Sequence, residues 1–302
     1  MRSVHAALVL VLALAGEALG HGYIYRVTAD NTVYPGWDIF LDSYTSPAPA
    51  RVAYGGGQTG PVFDLKSKAM ACGQTHNPAP GAVAEVRAGS NVTFHWSRWL
   101  YSHKGPITAF MAPYDGPISK VDVNKLEFFK IGQEDVDSQG VWATTKLLDS
   151  TNGTWTTTIP ADIKPGTYVI RHEIIALHFA LHTNPGFEWS PIGPQFYMTC
   201  FNFKVTGSGT ATPKGVTFPG AYVKDESGFK YDVFNTKTVL PYPPVGPALY
   251  QSSVSAQLTP KELVMISPTG KGDAADATYF KNQETVLKAQ SATTEAFDAA
   301  GG

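Results

Sequence analysis

His21 opens the stretch HGYIYRV (His21–Val27), directly after EALG (Glu17–Gly20). A histidine at a free chain end carries two metal donors on one residue, its α-amine and its ring Nδ1. No internal histidine has that pair. Nitrogen donors of this kind suit copper, which tops the affinity order of the divalent first-row ions. The α-amine also has the lowest proton affinity among the chain's amines, so it sheds its proton near neutral pH. A third nitrogen from another histidine would complete a T-shaped set. His103 is the candidate, in the polar loop SHKGPI (Ser102–Ile107) that follows WSRWLY. Two further groups could surround such an ion. His172 and His178 stand six apart in RHEIIALH, so one extended strand would turn them to the same side. Gln195 and Tyr197 stand two apart in the next strand and share a face by the same rule. The competing reading of these side chains is a hydrogen-bonded cluster inside a core.

For His21 to be a chain end, the residues before it must be removed. Arg2 gives a short basic start, Ala6–Ala15 is an apolar run without charge, and Ala18 and Gly20 are small residues at positions −3 and −1. That is the pattern of a secretory leader over residues 1–20, too short in its apolar part to span a bilayer. An extracellular protein is expected. Two cysteines, Cys72 and Cys200, form an isolated pair; in an oxidising compartment such a pair joins as a disulfide. The loop it closes contributes about 4–5 kcal/mol by chain entropy. Sequons at Asn91 (NVT) and Asn152 (NGT) fit the same route. With 23 basic against 25 acidic residues, the chain lacks the excess positive charge that nucleic acid or an anionic membrane selects. Neither is expected as a partner, an uncharged polymer is compatible, and a monomer is expected.

The elements that must position these residues read as strands. NVTFHWSRW (Asn91–Trp99) alternates apolar and polar residues, as does TWTTTIP (Thr154–Pro160). KLEFFKI (Lys125–Ile131), KPGTYVIRHEIIAL (Lys164–Leu177) and QFYMTCFNFKVTG (Gln195–Gly207) add three more, and Gly/Pro clusters such as YGGGQTGP (Tyr54–Pro61) punctuate the intervals. No long helical period occurs before Gly207. The prediction is an all-β, two-sheet antiparallel sandwich. FPGAYVKD (Phe218–Asp225) and PYPPVGPALY (Pro241–Tyr250) carry prolines that a central strand rejects, so they read as extended chain wrapped over the sandwich. From Gln251 to Gly302 large apolar residues thin out, which predicts a linker or disordered tail with a short helix near Tyr279–Ala289.

Taken in order, HGYI, YPGWD (Tyr34–Asp38), SHKGP, FFKI, RHEIIALH, QFYMTCFNFKVTG and FPGAY resemble the fungal lytic polysaccharide monooxygenases of auxiliary activity family 9, formerly glycoside hydrolase family 61. The resemblance runs from His21 to Tyr250. It implies an immunoglobulin-like β-sandwich whose long loops form a flat face for a polysaccharide, with residues 21–250 as the catalytic domain. It also implies one copper ion in a histidine brace, held by the His21 amine, His21 Nδ1 and His103 Nε2. Tyr197 matches the axial tyrosine, His178 a neighbouring histidine, Gln195 the glutamine that hydrogen-bonds bound oxygen species, and Cys72–Cys200 the core disulfide. The implied reaction is hydroxylation of a C–H bond at C1 or C4 in cellulose, hemicellulose or a related β-linked glucan. Dioxygen or hydrogen peroxide would be co-substrate, and an external small-molecule or protein reductant the electron donor. Tyr23, Tyr25 and Tyr222 are the candidate substrate-surface rings.

Two features depart from the family pattern. FALHTNPGFEWSPIGP, between His178 and Gln195, is longer than usual and adds His182, Phe187 and Trp189. His76 stands four residues after Cys72 rather than directly after it, and reads as a surface-loop residue. The competing functions are a secreted copper-binding protein that uses the brace without oxygenase chemistry, and a non-catalytic polysaccharide binder. A hydrolase is disfavoured, because no carboxylate pair stands out.

Overall fold

The computed structural model describes residues 21–56, 59–74, 76–97, 99–181, 190–235, 240–254 and 264–265. The expected leader, the helix near Tyr279–Ala289, and His182, Phe187 and Trp189 lie outside the described residues. The fold is the expected sandwich of two five-stranded sheets. In chain order the elements are β1 (Ile24–Ala29), β2 (Thr32–Pro35), β3 (Ala84–Arg87), β4 (Asn91–Trp96), β5 (Ile107–Tyr114), β6 (Phe129–Glu134), the short helix α1 (Ala143–Asp149), β7 (Thr154–Thr158), β8 (Gly166–Ala176), β9 (Gln195–Thr206) and β10 (Val264–Met265). One sheet runs β10-β2-β1-β4-β7 and the other β3-β9-β8-β5-β6. Pairing is antiparallel except at β10–β2 and β3–β9, which are parallel. β1 turns into β2 through Asp30 and Asn31, both left-handed at φ 46° and 65°, the geometry whose twist suits a two-residue hairpin.

Alternation in the first sheet follows from one buried face. Val27, Phe94 and Trp155 point inward, while Thr28, Thr93 and Thr156 point away from the core. The second sheet is buried on both faces, so its long strands read as continuous apolar runs. Ile170, Ile174, Phe201 and Phe203 face the first sheet. Val169, Ile175, Phe196 and Met198 face the chain after Gly207, where Phe218, Tyr222, Phe229, Tyr231, Tyr242 and Val245 form a second core. The proline-bearing segment is thus wrapped over the sandwich, as its composition predicts.

A charged pair stitches that second core together. Arg171 is fully buried, binds the Glu173 carboxylate at 2.5 Å and donates to the carbonyls of Met70 and Ala71. Its guanidinium lies 3.8 Å from the Phe218 ring centroid, a desolvated cation–π contact. Beside it Cys72 and Cys200 are joined as a disulfide, as expected. Two boundaries differ from expectation. β6 starts only at Phe129, because Val123–Lys125 is a 3₁₀ turn capped by the Asp122 side chain. β8 ends at Ala176, two residues short of His178. Among the described residues no helix is long and apolar enough to cross a membrane.

Candidate metal centre

His21 sits three residues ahead of β1, a strand hydrogen-bonded on both sides by β2 and β4. The short arm between is fixed to the end of β4: Tyr23 N–H donates to Ser97 Oγ at 3.1 Å, and Ser97 N–H to the Tyr23 carbonyl at 2.8 Å. His103 lies in the β4–β5 loop. Trp99 Nε1 donates to its carbonyl at 2.9 Å, and its own N–H donates to Leu100. The loop is tied to the end of β8 by Leu177 N–H to the Lys104 carbonyl (2.9 Å) and Ile175 N–H to the Pro106 carbonyl (3.1 Å). These ties bring the two imidazoles together with centroids 5.3 Å apart and planes at 63°. His103 Nδ1 is engaged with Ser102 Oγ at 3.1 Å, which leaves Nε2 as the nitrogen free for another partner.

Gln195 and Tyr197 share a face of β9, as their spacing predicts. The Tyr197 ring lies 5.3 Å from His21 and 4.9 Å from Trp99. Its hydroxyl donates to Gln195 Oε1 at 2.6 Å, so the Gln195 amide nitrogen keeps both protons for other acceptors. His178 stacks on His103 with centroids 3.7 Å apart, and its Nδ1 is a buried nitrogen without a partner. His172 does not join this group. Because β8 ends before His178, the two histidines meet different surroundings: His172 packs against Phe94, Trp96 and Trp155 between the sheets.

Burial holds these rings neutral. It lowers the His21 pKa to about 4. It lowers His178 to about 3, with repulsion from His21 adding to the effect. His103 is pushed well below the usual imidazole range by burial and then by His178 and His21. Burial likewise raises the Tyr197 phenol well above its ordinary value, so it stays protonated. Neutral imidazoles present lone pairs, the state a metal ligand requires. Among the described residues no three His, Cys, Asp or Glu side chains form a metal cage. A metal here would take two ring nitrogens and draw its third nitrogen from the main chain, and a freed His21 amine has the chemistry to supply it. The residues fit copper on that count.

The other expected residues fall as follows. Tyr222 is not a surface ring: it is 6% exposed and donates its hydroxyl to Glu173 in the second core. Tyr23 is half-buried, with its ring 5.9 Å from Phe40. Tyr25 is half-buried against Arg26 and His95. His76 is a half-buried loop residue with Nδ1 3.4 Å from the Gly73 carbonyl. Asn91 and Asn152 are both exposed. Sequence reading missed Phe40, Tyr44 and Tyr101, which are 44%, 85% and 48% exposed. Each is a single aromatic in a loop, without the periodicity that would have marked it. Around two of them the Asp42–Arg51 ion pair at 2.7 Å and the Asp38 carboxylate, which accepts from Phe40 and Leu41 N–H, hold the loop in place.

The family model described as Auxiliary Activity family 9 (formerly GH61) matches residues 21–242. The chain belongs to that family. AA9 family lytic polysaccharide monooxygenase A of Geotrichum candidum is 38% identical over 254 residues, covering 83% of this chain and 84% of the relative. Monooxygenase C of the same organism is 36% identical over 93% of this chain, which spans 51% of that longer protein. Among solved structures, the extended catalytic domain of H. jecorina LPMO9A superposes with a TM-score of 0.68 at 30% identity, over 82% of this chain and 99% of that one. The AA9 chain is thus an enzyme of the lytic polysaccharide monooxygenase type, a class whose reaction is oxidative cleavage of polysaccharide.

Proposed function

We propose that this AA9 enzyme is secreted, is cut after Gly20, and holds one copper ion through the His21 α-amine, the His21 ring Nδ1 and His103 Nε2. Its substrate on this reading is cellulose or a related β-linked glucan, hydroxylated at C1 or C4 beside the glycosidic bond. The observation that carries the reading is the pair of imidazoles, His103 buried and His21 half-buried, set edge-on with centroids 5.3 Å apart next to the start of β1. The family match beginning at His21 supports the cleavage site. Residues 21–250 would then form the catalytic domain and 251–302 a tail, two of whose residues, Val264 and Met265, pair with β2 as β10 rather than lying in an unstructured linker. Bound copper would supply the one-electron chemistry with dioxygen or hydrogen peroxide that no side chain provides, fed by an external reductant.

The chain's own residues do the rest. His21 and His103 stay unprotonated and available as donors. Tyr197 fills the side of the site toward Trp99 with a phenol that keeps its proton. By accepting that proton in a hydrogen bond, the Gln195 carbonyl leaves the amide N–H₂ as the group that would donate to an acceptor entering the site. His178 braces the His103 ring by stacking on it, a neighbour that fixes ligand orientation. Phe40, Tyr44 and Tyr101, with Tyr23 behind Phe40, offer ring faces for sugar. The test is to incubate the copper-loaded mature protein with amorphous cellulose and ascorbate and analyse soluble products by mass spectrometry. Oxidised oligosaccharides are expected from the wild type and none from His103→Ala. Their absence from the wild type on cellulose and hemicelluloses alike would overturn the reading.

A further inference from the structure

We propose that Thr144 is a positioning residue for His103, and that through it the wrapping segment after Gly207 helps shape the metal centre; this rests on the copper reading above. Thr144 lies in the first turn of α1 and is 1% exposed. Its hydroxyl oxygen accepts the Gly105 N–H at 3.0 Å, across 39 residues of sequence and two residues beyond His103. Gly105 is pressed against the strand on its other side: a Cβ there would lie 1.9 Å from the Ile175 carbonyl oxygen. The His103 loop is therefore clamped at one point between a hydroxyl on α1 and the backbone of β8.

What holds α1 in place is not the sandwich alone. Trp142, the residue ahead of it, is buried with its ring 5.5 Å from Tyr231 and 5.3 Å from Tyr242, and those two rings lie 5.1 Å from each other. Both tyrosines belong to the wrapping segment. Ala143 N–H donates to the Asp135 carbonyl at 2.7 Å, fixing the helix start from the β6 side. The same segment touches the loop a second time, from outside: the Lys104 ammonium lies 5.6 Å from the ring centroids of both Tyr101 and Phe234. A chain of contacts thus runs from Tyr231 and Tyr242 through Trp142 and Thr144 to Gly105 and His103. A metal ligand displaced by a fraction of an ångström binds less tightly, which is why groups that orient ligands matter to affinity.

The experiment compares wild type, Thr144→Val and Thr144→Ser by copper affinity in a competition titration and by the Cu(II) electron paramagnetic resonance spectrum. Valine keeps the shape and removes the acceptor; serine keeps the acceptor. Thr144→Val should bind copper about tenfold more weakly, the lower end of the range for groups that orient a ligand, and show an altered spectrum. Thr144→Ser should restore both. A merely structural role would lower the melting temperature and leave the spectrum alone. Wild-type affinity and spectrum in folded Thr144→Val would overturn the proposal. If the valine variant does not fold, Thr144→Ala carries the same expectation and the same refutation. A wild type that binds no copper would overturn the copper reading, and this one with it.

Discussion

Tyr222 and Tyr44 put the same side chain to opposite uses. The Tyr222 hydroxyl meets Glu173 Oε2, which also accepts from Thr108 at 3.3 Å, inside the second core. Tyr222→Phe should destabilise the protein by about 1–3 kcal/mol, the cost of an under-satisfied buried carboxylate, in urea unfolding, while polysaccharide binding stays unchanged. Tyr44 is 85% exposed and touches little of the fold. Tyr44→Ala should leave the unfolding midpoint where it is and weaken cellulose binding about threefold to tenfold, the worth of one aromatic stacking contact. A pull-down isotherm decides it; unchanged binding would remove Tyr44 from the substrate face. Tyr44 closes a short 3₁₀ turn and Tyr222 lies in irregular chain, yet only the tertiary packing decides which ring is covered.

At the scale of elements, the strands with one buried face were legible and the others only partly so. β4 and β7 alternate because water lies on one side of their sheet. β8 and β9 lack that signal because a second core covers them, and only their apolar, β-branched and aromatic content marks them as strands. The end of β8 was not legible. RHEIIALH has no breaker, and the strand stops at Ala176 because Leu177 turns to pair with Lys104 in the metal-side loop. The Gln195–Tyr197 face could be read from spacing, since a period of two survives in any strand. The convergence of His21 with His103 could not, for their loops are brought together by contacts such as Tyr23 to Ser97 that no pattern announces. The disulfide ties β9 to the Lys68–Cys72 segment across 128 residues. Replacing both cysteines by serine should cost about 4–5 kcal/mol by loop-closure entropy, read as a lower guanidinium midpoint with the native spectrum retained below it.

For the whole molecule, Asp162 ties the Tyr250–Ser253 stretch back onto the sandwich. Its carboxylate accepts from Ser253 N–H at 2.7 Å, Ser253 Oγ at 2.8 Å and Tyr250 Oη at 3.0 Å. Burial pushes its pKa up, but these hydrogen bonds outweigh it and hold the pKa at about 2, against an ordinary 3.8. A carboxyl whose folded pKa is depressed stabilises the fold above its unfolded value and stops doing so as pH falls through the folded one. The gap in unfolding free energy between wild type and Asp162→Asn should therefore be about 2 kcal/mol at pH 7 and shrink between pH 4 and pH 2. A gap that does not change with pH would assign the effect to packing. Ahead of Asp162 in the chain, β1 is paired on both sides and the arm to His21 is pinned at Tyr23, so these strand contacts do not run through the His21 side chain. On the copper reading proposed above, a preparation that keeps one additional residue ahead of His21 should melt with the protein that begins at His21 while holding copper poorly. Quality control by thermal melting is blind to that error, and only the mass of the intact N-terminus or a metal titration will reveal it.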